Sequence, residues 1–99
     1  MNNTYKEKLI AELNENDSYV VIAGLPVEIS KGIILLDDGK SSIQVILNDN
    51  NIPENAKFIR VFGSIINFDG KLCLHADFLQ DLSSIDRFLY DKVNELIRK

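Results

Sequence analysis

The sequence predicts an all-β domain closed into a small five-stranded barrel, with a short helix before it and a longer helix after it. Three observations predict this. From Tyr19 to Asp77 the chain is a run of β-branched and apolar stretches broken by turn residues. Two of the breaks contain Asp-Gly, the pair that tolerates the positive φ of a tight hairpin. The segments on either side change to helical spacing. Ninety-nine residues are enough for one modest core, so residues 1–99 are read as one domain.

Taken in order, residues 4–13 place Tyr5, Leu9 and Leu13 four apart with Ile10 beside them, which predicts a short amphipathic helix ending in the polar run Asn14 to Ser18. Residues 19–77 form the barrel. Its first strand, Tyr19 to Ile29, contains Gly24 and Pro26, which predict a bend or bulge where the strand turns a corner. Gly32 to Leu36 and Ser42 to Leu47 follow, joined by Asp37-Asp38-Gly39-Lys40. A polar loop, Asn48 to Asn55, leads to a long strand, Lys57 to Phe68. Asp69-Gly70 then returns the chain into Lys71 to Asp77. Ser83 or Ser84 caps a last helix, residues 84–98, whose apolar residues Ile85, Phe88, Leu89, Val93, Leu96 and Ile97 form one broad stripe. Five strands in this arrangement fit the OB-fold, the five-stranded Greek-key barrel.

The segment Phe58 to Phe68, followed by a tight turn and Leu72-Cys73-Leu74-His75-Ala76, resembles the last two barrel strands of the middle subunit of replication protein A. It is similar also to related small subunits of replication and telomere complexes, archaeal-type DNA polymerase accessory subunits among them. The turn from Leu36 to Val45 resembles the acidic hairpin of the same group, and a helix after the barrel completes its order. The resemblance implies a non-catalytic accessory subunit of a DNA replication or repair assembly, a DNA polymerase holoenzyme or a replication protein A-like complex. Its helix would pack against a larger partner in a heteromeric complex, through Phe88, Leu89, Val93 and Leu96. In that group two aromatic residues, late in the third and fourth barrel strands, stack on DNA bases. Phe68 takes the second place, while Asn48 stands at about the first.

Alternation along the fourth strand puts Ile59, Val61, Gly63 and Ile65 in one row and Phe58, Arg60, Phe62, Ser64, Ile66 and Phe68 in the other. With the first row inside the barrel, the second is an outer face carrying aromatics but only one certain cation. The alternative function is therefore an autonomous single-stranded DNA binder using Arg60, Phe62, Phe68 and Lys71, helped by Lys31, Lys40 and Lys57. Single-strand grooves pair stacking aromatics with several basic groups, and the net charge of −4 opposes the encounter with a polyanion. The expectation is weak or indirect contact with single-stranded DNA.

No catalytic constellation is predicted, so the chain is not read as an enzyme. His75 is the only histidine and Cys73 the only cysteine. Two residues apart on a strand, they share a face without a third group to complete a triad, and they fall short of the ligands a structural zinc site takes. Asp37 and Asp38 precede Gly39 in a turn, where Asp is favoured for backbone reasons. There is no phosphate-cradling glycine loop or dinucleotide fingerprint. No metal or cofactor is expected. A polar N-terminus, a lone cysteine and the lack of a long apolar run predict a cytoplasmic protein with no membrane partner.

Overall fold

The computed structural model describes residues 4–48, 55–84, 88–89 and 91–92. One sheet holds β1 (Lys6–Glu7), β2 (Tyr19–Ser30), β3 (Ile33–Asp37), β4 (Ser42–Ile46), β5 (Ile59–Phe68) and β6 (Lys71–Asp81). Neighbours run β2-β3-β4-β6-β5, and β5 pairs back to β2, so five strands close into a barrel. The β4–β6 pairing is parallel; those of β2–β3, β3–β4, β5–β6 and β2–β5 are antiparallel. This is the predicted OB-fold order.

β2 serves two neighbours in turn. Tyr19 to Gly24 pair with β5, and Leu25 to Ser30 pair with β3. The handover falls at Gly24, where a Cβ would lie 2.6 Å from the Asp37 carbonyl oxygen, closer than any side chain permits. The register then shifts between Pro26 and Glu28, leaving Val27 as an extra residue. The predicted corner is thus built from a close approach and a bulge.

Inward residues of the five barrel strands make the core: Val20, Ile22, Ile34, Leu36, Ile43, Val45, Ile59, Val61, Leu74 and Ala76, with Ile10 joining them from outside the barrel. Ile59, Val61 and Gly63 are buried and Ile65 packs against the core, as alternation predicts. Both hairpin turns follow their sequences. Asp69 and Gly70 have φ of 57° and 82°. Asp37 accepts a hydrogen bond from the Gly39 amide, and Asp38 accepts from those of Lys40 and Ser41. The adjacent carboxylates build the turn.

Residues 4–13 do not form the predicted helix. Lys6–Glu7 is a strand parallel to β2, on the stretch of its edge that β3 does not reach, and Ile10–Glu12 is a single 3₁₀ turn. The four-residue spacing misled because its apolar residues go to different places. Tyr5 lies on the outer surface, Ile10 is buried, Leu13 packs on the core and Leu9 is exposed. So short a helix is marginal in water, and pairing with an open strand edge satisfies the backbone better.

The last barrel strand runs on from Asp77 to Asp81. Asp77 is an extra residue there, because Phe62 pairs with Phe78 while Gly63 pairs with Ala76. This bulge reverses the alternation and hides the strand's continuation from a period-two reading. Of the predicted C-terminal helix, residues 88, 89, 91 and 92 have helical backbone, and Ser84 lies in a turn. Most of that span, with Val93 and Leu96, lies outside the described residues.

Candidate functional site

Two outer faces of the barrel could receive a ligand. The first spans the second half of β2 with β3 and β4, and register identifies its outward row: Leu25, Glu28, Ile33, Leu35, Asp37, Gln44 and Ile46. Leu25 and Ile33 are exposed, as is the bulged Val27. Within that row the charged side chains are the carboxylates Glu28 and Asp37, while Lys31 and Lys40 stand in the flanking turns. OB-folds that bind oligonucleotides use this face, and here it is apolar and acidic.

The second face lies on β5 and β6. Arg60 pairs with Gln80, Phe62 with Phe78, Ser64 with His75, Ile66 with Cys73 and Phe68 with Lys71. The Phe62 and Phe78 rings stack, 4.5 Å apart and 17° from parallel. Tyr5 stands edge-on to Phe62, Phe78 and Tyr19, with centroids 5.4, 5.9 and 5.5 Å away. Such offset and edge-to-face pairs are the preferred aromatic geometries. Val21, outward and paired with Phe62, is buried beside them. The cluster is a small second core outside the barrel.

Polar groups fix its edges. The Tyr5 hydroxyl donates to Asp77 Oδ2 at 2.7 Å, and that bond to a carboxylate raises its pKa above the usual 10.0. Arg60 donates through Nε and Nη2 to Gln80 Oε1, at 3.0 and 2.6 Å, and its guanidinium lies 5.2 Å from the Phe62 ring centre. Asp81 accepts from the Ser83 amide and hydroxyl, which holds its carboxyl below the usual carboxylate range.

The residues expected to touch DNA separate into two places. Arg60 and Phe62 sit together in the aromatic cluster. Phe68 and Lys71 pair across the β5–β6 hairpin end, where Phe68 is 66% exposed. Asn48, at about the position where the resembling group stacks a base, is hydrogen-bonded to His75 Nε2 at 2.8 Å. Cys73 shares the outward row with His75 but is buried, which keeps its sulfur from solvent. Phe88 and Leu89 are exposed. Among the described residues, no group of three or more His, Cys, Asp and Glu side chains is placed to hold a metal ion.

Sequence reasoning missed Tyr5, Tyr19, Phe78 and Gln80. The four-residue spacing places Tyr5 in a helix, and Phe78 lies beyond the bulge that ends the readable alternation. Tyr19 was legible: it opens the first barrel strand, and its alternation with the inward Val20 marks it as outward.

Strand order, corner and outward rows together define an OB-fold domain whose outer surface is aromatic and apolar. No family model and no curated protein matches the sequence. Solved structures match the fold. The telomere capping protein Ten1 from S. pombe superposes with a TM-score of 0.74 at 19% identity, over 96% of this chain and 98% of that one. A chain of the S. pombe Stn1-Ten1 complex gives 0.73 at 16%, over 97% and 93%. The hypothetical protein ygiW from E. coli gives 0.59 at 15%, over 76% and 88%. These likenesses establish the OB-fold.

Proposed function

We propose that this chain is a non-catalytic OB-fold subunit of a heteromeric DNA-maintenance complex of the telomere-capping kind, acting through protein contacts. The observation that carries this reading is the outer face of β2, β3 and β4. Where an oligonucleotide-binding OB-fold presents basic and stacking groups, this face presents Leu25, Ile33, Leu35 and Ile46 with Glu28 and Asp37. An apolar row whose own charged side chains are carboxylates favours a protein over a polyanion. Likeness to Ten1, whose partner in the second structure is Stn1, supports the same reading. The exposed Phe88 and Leu89 supply anchors for a larger subunit.

A second reading, direct binding of single-stranded DNA, has one observation in its favour: Phe68 is largely exposed and pairs with Lys71. Titrating the full chain into a labelled single-stranded oligonucleotide at physiological salt separates the two. The proposal predicts no binding tighter than about 1 μM, the tight end of non-specific affinities. Tighter, salt-sensitive binding that is lost on changing Phe68 and Lys71 would overturn it in favour of the second reading.

A further inference from the structure

We propose that Arg60 and Phe78 form the anchor of a docking site for a partner protein segment that carries a carboxylate beside an aromatic or aliphatic side chain. The inference goes beyond the assembly role argued above. It rests on residues other than Phe88 and Leu89, so either can fail alone.

Arg60 is half-buried, and its fixed position is unusual for a surface arginine. Two of its nitrogens donate to one neutral acceptor, Gln80 Oε1, and its plane is supported by Phe62, itself stacked on Phe78. A guanidinium held by both strands has already lost much of the side-chain freedom that binding would otherwise remove. Its charge, however, has no carboxylate partner among the described residues. The two carboxylates on this stretch of β6 are engaged elsewhere: Asp77 accepts from Tyr5, and Asp81 accepts from Ser83. The donors that Gln80 leaves over match the two oxygens of an incoming carboxylate.

Beside this cation lies an apolar shelf. Phe78 is 51% exposed although one of its faces is covered by Phe62, and Tyr19 is exposed at the far side of the cluster. Arginine next to aromatic rings is the composition of interface hot spots. A phosphate could also meet Arg60, and a base could stack on Phe78. A nucleic-acid strand, however, carries a charge at every nucleotide, and Asp77, bonded to Tyr5 on this same face, would repel the charges next to the one that Arg60 holds. A single localised anion next to an apolar group suits the site better, which favours a protein segment.

The test is to pan a random peptide library displayed on phage against the immobilised full chain, then to measure the affinity of the enriched peptides, synthesised singly. The enriched sequences should place Asp or Glu next to an aromatic or large aliphatic residue. Arg60→Gln and Phe78→Ala should each weaken them about tenfold or more, and Lys71→Gln should leave them unchanged. Arg60→Lys, which keeps the charge and loses the fork, should weaken them too, and a melting curve for each variant shows that it is folded. No enrichment, enriched peptides without a carboxylate, or full affinity for folded Arg60→Gln would overturn the proposal. So would an oligonucleotide that competes for the site and depends on Arg60, which would assign the site to nucleic acid.

Discussion

The Tyr5 hydroxyl donates a hydrogen bond to Asp77 across 72 positions of sequence, joining the residue before β1 to the bulge of β6. The two residues meet because Asp77 is the unpaired residue of that bulge, so its side chain is free of the barrel's alternation. Through this bond and three ring contacts, the N-terminal segment is fastened to the same outer face that carries Arg60 and Phe78.

Replacing Tyr5 with Ala should therefore lower the melting temperature and speed hydrogen exchange at Lys8, whose amide donates to the Val21 carbonyl beside the cluster. Tyr5→Phe, which keeps the ring and loses the hydroxyl, should do less of both. The phenol also gives a direct reading. Its folded pKa is raised, so the bond stabilises the fold below the usual value of 10.0 and is lost as pH rises through the folded value. Ultraviolet titration should find one tyrosine ionising late, and Asp77→Asn should bring it back. An unchanged titration in that variant would remove the hydrogen bond from the account.

Gly63→Val should destabilise the barrel by about 2 kcal/mol or more. A Cβ at Gly63 would collide with the His75 carbonyl oxygen and stand 3.0 Å from the Ala76 Cα, and both are backbone of the paired strand. The bulge at Asp77 is next to this crossing, so the strand would have to separate or shift register. Urea unfolding measures the loss, and a variant with the wild-type midpoint would show that the strands can part without cost.

Acid should weaken the fold through Asp17. Lys8 donates to it at 2.8 Å and the Asn14 amide at 2.9 Å, and with Lys8 as the larger cause its pKa lies below the usual 3.8. A lowered carboxyl stabilises the fold above its unfolded value and loses that contribution as pH falls through the folded value. Asp17→Asn should thus be less stable than wild type at neutral pH, with the gap closing below about pH 4. Denaturant unfolding at several pH values checks the convergence, and a gap independent of pH would assign the effect to something other than ionisation.

These residues also show what the sequence could reveal. Strand positions, both hairpins, the corner at Gly24 and the inward row from Ile59 were legible, because each depends on local turn chemistry or on period-two alternation. The N-terminal segment was not, since Tyr5, Ile10 and Leu13 satisfy surfaces that only exist once the barrel has closed. Arg60 and Phe62 were legible as outward residues of one strand. Their partners Gln80 and Phe78 were not, because one extra residue at Asp77 moved them out of phase.

The central claim is that this OB-fold works as a subunit held by protein contacts, and purification of the tagged full chain from its own cells tests it most directly. With wild type, one larger polypeptide should co-purify in equal amount. Phe88→Asp and Leu89→Asp, both at exposed positions, should keep the wild-type melting temperature and lose that polypeptide, because interface anchors contribute about 2 kcal/mol or more. Recovery of the wild-type chain alone, or a polypeptide retained at full strength by both folded variants, would contradict the account.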